Sequence, residues 1–221
     1  MKKAAVIFLI LVVAAGIMQY FMPGIFGWGL RGDGNITTES RAVTEFTGLD
    51  AGGVFDIQWS AGEPKLGITT DANLLPHIRA DVTGGTLKLT SDVSLSPSKG
   101  IKVVLSGTAL QHVGISGASR FSASQLSGPN LTVSGSGAVS ITVNGSVDKL
   151  TVTLSGASRL AAAGLSTKTA KATVSGASHS DIAVSESLNA AVSGASSLTY
   201  FGNPASVEKL ISGASSMHRR E

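Results

Sequence analysis

Apolar residues recur at every second position in short segments of the second half of the chain, and these segments return at a fixed distance. Six copies of a Ser-Gly-Ala-Ser stretch mark the period, and they begin at Ser116, Ser136, Ser155, Ser175, Ser193 and Ser212. The period is about 19 residues, and only the second copy departs from the motif, with Val139 in its last position. Alternation with a period of two is typical of strands. The fixed spacing indicates a repeat architecture in which each unit covers its neighbour.

Alignment of the six copies on their first Ser places apolar side chains in columns on both sides of the motif. The position just before it holds Ile115, Gly135, Leu154, Val174, Val192 and Ile211. The position five residues after it holds Phe121, Ile141, Leu160, Ser180, Leu198 and Met217. Each repeat therefore predicts one strand before the motif and a second strand after it. Two or three short strands per repeat suit a parallel β-helix, or solenoid, with coils of about 19 residues stacked at roughly 4.8 Å.

The motif itself predicts the corner at which the chain turns from the first strand into the second. Glycine tolerates positive φ and close backbone approach, and the Ala that follows is small enough to lie inside a bend. We expect Ala157 to lie inside its corner, Thr153 to face solvent, and the motif hydroxyls to bond backbone groups at the turn or between coils. The predicted corner glycines are Gly117, Gly137, Gly156, Gly176, Gly194 and Gly213.

Composition favours an all-β fold. Charged residues make up 14% of the chain and aromatic residues 5%, and 27 of the 221 residues are Gly. Helical periodicity does not continue beyond residue 30, which argues against a βαβ fold. A Gly/Ser-rich sequence also suits disorder, but a flexible linker has no reason to keep Val and Leu in register.

The first 23 residues predict a signal peptide or a membrane anchor. Lys2 and Lys3 precede an unbroken apolar run from Ala4 to Met18. The sequence has no convincing Ala-x-Ala cleavage site after this run, which favours an uncleaved anchor. We therefore expect the rest of the chain to be exported to the periplasm or cell surface and tethered to the inner membrane. The absence of cysteine excludes a lipoprotein attachment site and a thiol nucleophile.

The composition divides residues 24–221 into four segments. Residues 24–40 read as a Gly-rich linker that contains Arg31-Gly32-Asp33, a tripeptide similar to an integrin-binding motif but expected to be accidental. Residues 41–110 are expected to form irregular early coils that cap the stack, or else a separate small β domain. Within them, Asp71 is expected to be the N-cap of a helical turn that Pro76 stops. Residues 111–217 form the regular repeats, and residues 218–221 form a charged tail.

The order of several short motifs resembles a known bacterial family. Arg41-x-Val43-x-x-Phe46-x-Gly48-Leu49 is followed by Asp71-x-Asn73-Leu74-Leu75-Pro76, by Gly84-Gly85-x-Leu87 and by the repeated Ser-Gly-Ala-Ser. This order, over roughly residues 40–216, resembles the family called putative auto-transporter adhesin, head GIN domain. The resemblance implies an exported β-helical domain with an adhesin-like role. It carries over no catalytic or ligand residue, because the matching motifs are turns and core positions.

The sequence contains few candidate catalytic, metal-binding or ligand-binding residues. The four histidines have no spacing that suggests a zinc site, and the sequence indicates no cofactor and no metal. His179 and Asp181, two residues apart in a strand, are expected to be a solvated pair. The formal net charge of +3 without an extended Lys/Arg cluster argues against nucleic-acid binding. Arg120, Arg159 and His179 share one column of the repeat and form a basic strip, either a solvated face or a contact for an anionic glycan or a protein.

These observations lead to one functional expectation and one alternative. We expect a non-enzymatic cell-envelope solenoid that presents a surface for adhesion or protein–protein contact, bound to the membrane through its N-terminal segment. The alternative is a glycan-binding or glycan-active β-helix. Catalysis of that kind needs acidic pairs on neighbouring coils, and the few acidic residues of the repeats fall at different places in the coil. Any oligomer is expected to form through the flat side faces.

Overall fold

The computed structural model describes residues 29–220, whose regular secondary structure consists of strands and one 3-10 turn. The expected signal or anchor segment, residues 1–23, lies outside the described residues, as do residues 24–28 and Glu221. The elements in chain order are β1 (Leu30–Arg31), β2 (Ile36–Arg41), β3 (Gly48–Gly53), β4 (Phe55–Ala61), β5 (Lys65–Asp71), a 3-10 turn (Leu75–His77), β6 (Ile78–Thr83), β7 (Thr86–Ser91), β8 (Leu95–Ser96), β9 (Ile101–Gly107), β10 (His112–Gly117), β11 (Arg120–Gly137), β12 (Ser140–Leu154), β13 (Arg159–Val174), β14 (His179–Val192), β15 (Ser197–Phe201), β16 (Ser206–Ile211) and β17 (Ser216–Arg220). Residues 29–220 contain no helix long and apolar enough to cross a membrane.

The repeats stack as parallel coils, which confirms the predicted all-β solenoid. We call face A the strand segments that precede each Ser-Gly-Ala-Ser corner, and face B the segments that follow it. On face A, β10 pairs in parallel with residues 132–137 of β11, which in turn pair with β12. On face B, residues 120–123 pair with residues 140–143, and the ladder continues through β13, β14, β15 and β17. Partners lie one repeat apart, so each column of the sequence becomes a row of stacked side chains.

The segment before the repeats joins the same sheet. β3 pairs in parallel with β10 on face A, and β4 pairs in parallel with β11 on face B. The other neighbours of this coil come later in the chain, because β7 pairs with β3 and β9 pairs with β4. The coil formed by β3 and β4 is thus enclosed between two coils that follow it in sequence. Antiparallel β6 borders face A, and β5 followed by β2 borders face B.

Two boundary expectations are corrected. Residues 29–40 are not a linker, because β1 pairs with β8 and β2 pairs with β5 over six residues. The segment Ile36–Thr38 consists of β-branched residues, which favour a strand, but the glycines before it made the whole region look like a flexible linker. Residues 218–220 are not a free tail, since His218, Arg219 and Arg220 lie opposite Thr199, Tyr200 and Phe201 in the β15–β17 ladder.

The core is a set of stacked apolar rows inside the coils. One row on face B runs through Ile57, Phe121, Ile141, Leu160 and Leu198, all at most 3% exposed. Ser180 takes the place of an apolar side chain in this row, between Leu160 and Leu198, and is fully buried. Its hydroxyl has no hydrogen-bond partner among the described residues. Rows of this kind remove the inner surface of every enclosed coil from water, which is the main source of stability.

The inward side of the corner differs from the expectation. Ala157 is exposed, as are Ala138 and Ala177, whereas Ser158 at the last motif position is buried. The reason is that the glycine before the Ala has φ of +75°, which interrupts the alternation of inward and outward side chains. Thr153, which lies in a regular strand before the corner, is exposed as predicted.

Candidate functional surface

A column of stacked glycines forms the corner between faces A and B. Its described members all have positive φ, and they are Gly53, Gly117, Gly137, Gly156, Gly176, Gly194 and Gly213. A Cβ built on Gly156 would lie 2.6 Å from the carbonyl oxygen of Gly137, and each later member meets its predecessor in the same way. Glycine is therefore needed here both for its left-handed backbone and for the close approach of successive coils.

A ladder of serine hydroxyls lies behind the glycine column. In the five motifs that end in Ser, this Ser donates a hydrogen bond to the carbonyl oxygen of the corner glycine in the preceding coil. The pairs are Ser119–Gly53, Ser158–Gly137, Ser178–Gly156, Ser196–Gly176 and Ser215–Gly194, at 2.9 to 3.4 Å. Some of these serine hydroxyl oxygens also accept a backbone N–H from the preceding coil, as Ser178 Oγ does from the amide of Ser158. The expectation that the hydroxyls satisfy backbone groups between coils is confirmed, and this ladder holds the edge of face B in register.

A row of charged and polar side chains runs along face B directly after this corner. Successive strands place its members opposite one another in the order Lys102, Asp56, Arg120, Ser140, Arg159, His179, Ser197 and Ser216. We call this set the charged row. The three residues expected as a basic strip lie in it, with Ser140 separating Arg120 from Arg159. Lys102 extends it, and the repeat pattern could not reveal this, because β9 belongs to the irregular part of the stack.

A shallow cleft lies at one end of the charged row. It has a volume of about 350 Å³ and is lined in part by Lys99, Lys102, Arg120 and Asp56. Lys99, Lys102, Arg120 and Arg159 make no ion pair within 4.0 Å with any described residue. Four cations therefore face solvent at this edge without an acidic partner, although Asp56 lies between Lys102 and Arg120 in the register. The electrostatic potential along the edge favours an anionic ligand.

His179 is held by two neighbours farther along the row. Its Nδ1 lies 2.6 Å from Ser197 Oγ, and its Nε2 lies 3.0 Å from Asp181 Oδ1. The three residue types are those of a serine hydrolase, but the surroundings do not suit acyl transfer. The backbone N–H of Ser197 donates to Ser178 O, so it does not point at a reacting carbonyl. The contact between His179 and Ser197 joins two neighbouring coils on face B.

Other contacts between polar side chains join residues that are far apart in the sequence, and the sequence did not predict them. His112 Nε2 lies 3.0 Å from Asp50 Oδ1, across 62 residues. His77 and Arg79 both contact Asp92, and the hydrogen bond from His77, aided by Arg79, lowers the pKa of that carboxyl. These contacts depend on the stacking of irregular coils, which no short spacing predicts. Within residues 29–220, no cluster of three His, Asp or Glu side chains could hold a metal ion.

The Arg31-Gly32-Asp33 tripeptide packs onto the end of β5. The amide of Asp33 donates to Asn73 Oδ1, and Asn73 Nδ2 donates to the carbonyl oxygen of Arg31. A Cβ on Gly32 would collide with the carboxylate of Asp71. Local packing therefore fixes the backbone of the tripeptide, while the side chains of Arg31 and Asp33 are exposed.

Asp71 is buried beneath this tripeptide and is not a helix N-cap. Its carboxylate accepts hydrogen bonds from the hydroxyl and amide of Ser98 and from the amide of Gly34. The Ser98 hydroxyl bond, supported by the amides, lowers the pKa of Asp71. The 3-10 turn begins later, at Leu75, and Pro76 lies inside it rather than ending it. The carboxylate thus joins the segments at Gly34 and Ser98 to the end of β5.

Comparison with known proteins agrees with this architecture. The family described as "Putative auto-transporter adhesin, head GIN domain" matches residues 45–204. A crystal structure of a putative adhesin from Bacteroides fragilis is 20% identical, covers 87% of this chain and 100% of its own, and has a TM-score of 0.73. A putative adhesin from Parabacteroides merdae and a putative lipid binding protein from Parabacteroides distasonis are each 18% identical, cover 87% of this chain and 99% of their own, and have TM-scores of 0.54 and 0.51. No curated protein matches the sequence significantly. These structures share the fold.

Proposed function

Because this chain belongs to the putative auto-transporter adhesin, head GIN domain family, we propose that it is a non-enzymatic, exported solenoid that presents its outer faces for adhesion or protein contact. The observation that carries the proposal is the register of face B, where each coil adds one side chain to a continuous outer row. A rigid surface of this kind binds an extended partner at many points without reordering itself.

The chemistry of the surface supports binding over catalysis. The amide of Ser197 is already bonded to the carbonyl oxygen of Ser178, so it offers no oxyanion contact beside His179. Among the described residues, the charged row holds a single carboxylate, that of Asp56, whereas glycoside hydrolysis requires a pair. The description of the family as adhesins points in the same direction.

Binding of the purified full-length chain to intact cells and to envelope extracts tests the proposal. The folded chain should be retained on cells, and a Gly156→Val variant, which places a side chain against the backbone of the preceding coil, should lose retention together with its folded signal. Failure of the folded chain to adhere to any cell or extract would contradict the adhesive role. Labelling of Ser197 by a fluorophosphonate probe would contradict the non-enzymatic role.

The N-terminal segment supports a further part of this proposal, which is attachment to the inner membrane. Lys2, Lys3 and the apolar run up to Met18 suit an uncleaved anchor with its basic end in the cytoplasm. Fractionation followed by N-terminal sequencing tests this. A membrane-bound chain that begins at its first residues is expected, and a soluble mature chain that starts after the apolar run would contradict the anchor.

A further inference from the structure

The cations of the charged row are spaced at regular intervals along the solenoid. Lys102, Arg120 and Arg159 occupy every second strand, with Asp56 and Ser140 on the strands between them. Neighbouring strands lie roughly 4.8 Å apart, so successive cations are separated by roughly 9.6 Å along the stack. The row runs across the strands, from coil to coil, and it lies at the edge of face B next to the open cleft.

We propose that the charged row binds an anionic polysaccharide that carries one carboxylate or sulfate per disaccharide. A disaccharide in an extended glycan chain is about as long as two coils of a β-solenoid, so each acidic sugar would meet one cation of the row. Arg120 and Arg159 can each form two parallel hydrogen bonds with an acidic group, and Lys102 and Lys99 would hold the next one in the cleft. This proposal rests on the proposed adhesive function and names its ligand.

The surroundings of the row favour a glycan over an acidic peptide. The next outward row of face B carries the polar side chains Gln58, Ser122 and Thr142, which can bond sugar hydroxyls. A peptide that crossed these strands could not pair its backbone with them, because their N–H and C=O groups already bond neighbouring coils. The exposed Val104 lies opposite Gln58 in this adjacent row, but among the described residues neither row carries a Phe, Tyr or Trp, the kind of side chain that anchors protein interfaces. Charge and hydroxyl recognition therefore carry the binding.

Binding of a hyaluronan oligosaccharide long enough to span the row tests the ligand class, since it has one carboxylate per disaccharide. The full-length chain should bind it, and rising salt should weaken the binding because the contacts are exposed ion pairs. A neutral chitin oligosaccharide of equal length should not bind. Equal or tighter binding of oligoglutamate would overturn the glycan assignment.

Substitutions in the row test the site. The double variant Arg120→Ser/Arg159→Ser should lower affinity for the oligosaccharide about tenfold, because two charge-assisted contacts are lost. Ser is accepted at this position in other coils, as at Ser140 and Ser197, so the fold should persist. The matched control is Lys149→Ser/Lys171→Ser, which removes the same charge from exposed positions of face A. The control should leave affinity unchanged, and an equal loss there would overturn the proposal.

Substitution of Asp56 should change the affinity for the oligosaccharide in the opposite direction. It lies between Lys102 and Arg120, so its carboxylate repels an anionic ligand, and Asp56→Ser should tighten binding. Damage to the fold could not produce a gain, and unchanged or weaker binding would count against the site. If the chain binds none of these polyanions yet still adheres to cells, this proposal fails while the adhesive function stands. If adhesion also fails, the proposed function itself is wrong.

Discussion

Ser180 is a buried polar residue in a row that the neighbouring coils fill with apolar side chains. It is fully buried between Leu160 and Leu198, and its hydroxyl has no partner among the described residues. A buried hydroxyl without a hydrogen bond costs free energy because it has lost its water. The row thus contains a local defect that one substitution can relieve.

We expect Ser180→Ala to raise the free energy of unfolding by about 1 kcal/mol, since it removes the unpaired hydroxyl. Ser178→Ala is the matched control two residues earlier. Its hydroxyl accepts from the Ser158 amide and donates to Gly156 O, so this change should lower the free energy of unfolding by about 1 kcal/mol. Urea unfolding of both variants gives the comparison, and destabilisation by Ser180→Ala would show that its hydroxyl is satisfied in solution.

Asp71 links stability to acid pH. The hydrogen bonds from Ser98 and Gly34 lower its pKa in the folded chain, so its contribution to stability is present above the unfolded pKa of about 3.9. That contribution is lost as pH falls through the lower folded value. In urea unfolding between neutral pH and pH 3, Asp71→Asn should flatten the decline in stability at the acid end. Ser98→Ala should flatten it partly, and an unchanged slope in Asp71→Asn would contradict the linkage.

The corner is the element that sets the spacing of the coils, and it depends on glycine. Gly156→Ala would force a Cβ into a backbone with φ of +75° and against the carbonyl oxygen of Gly137. We expect a loss of at least about 2 kcal/mol in the free energy of unfolding. Gly67→Ala in β5 is the control, because its Cβ would meet no atom within 4 Å and its φ is not positive. Thermal melts of the two variants should therefore differ clearly, and similar melts would refute the role of the glycine column.

A second pair of substitutions tests which corner side chain points inward. Ala157 is exposed and Ser158 is buried, so Ala157→Glu should change stability by less than about 0.5 kcal/mol. Ser158→Glu should cost several times more, because it buries a charge without a partner. Denaturant unfolding ranks the two. A larger loss for Ala157→Glu would restore the assignment made from the sequence.

The corner also marks where prediction from sequence succeeded and where it failed. The period of two identified the strands and placed Phe121, Ile141 and Leu160 in one buried row, because side chains alternate as long as the backbone stays extended. At a glycine with positive φ that alternation restarts, so Ala157 was assigned to the wrong side. The regular spacing likewise united Arg120 with Arg159, but Lys102 and Asp56 come from coils outside the repeat, and only the three-dimensional stacking adds them to the row.

At the scale of the whole molecule, the last described coil differs from the enclosed ones. Every residue of β16 is exposed, with Leu210 at 71% and Val207 and Ile211 at 39%. Lys209 lies opposite Ala190, in a column that other coils fill with small apolar side chains. An inward-pointing charge on an edge strand opposes pairing with another sheet.

We therefore expect Lys209→Val to increase self-association of the full-length chain. Lys171→Val is the matched control, since it removes the same charge from an outward position of an enclosed strand. Light scattering over a range of protein concentrations should show larger particles for Lys209→Val alone. Equal association of the two variants would mean that general loss of charge, rather than the edge, governs assembly.

The enclosed coil of β3 and β4 sets the order in which the protein can assemble during synthesis. This coil is made early, yet β7 and β9 on one side and β10 and β11 on the other leave the ribosome later. Both flanks of the coil are present only when the chain extends to Ser124, the last residue of β11 that pairs with β4. From then on each later repeat has an existing coil edge to pair with, so the remaining coils can add one at a time in the order of the sequence.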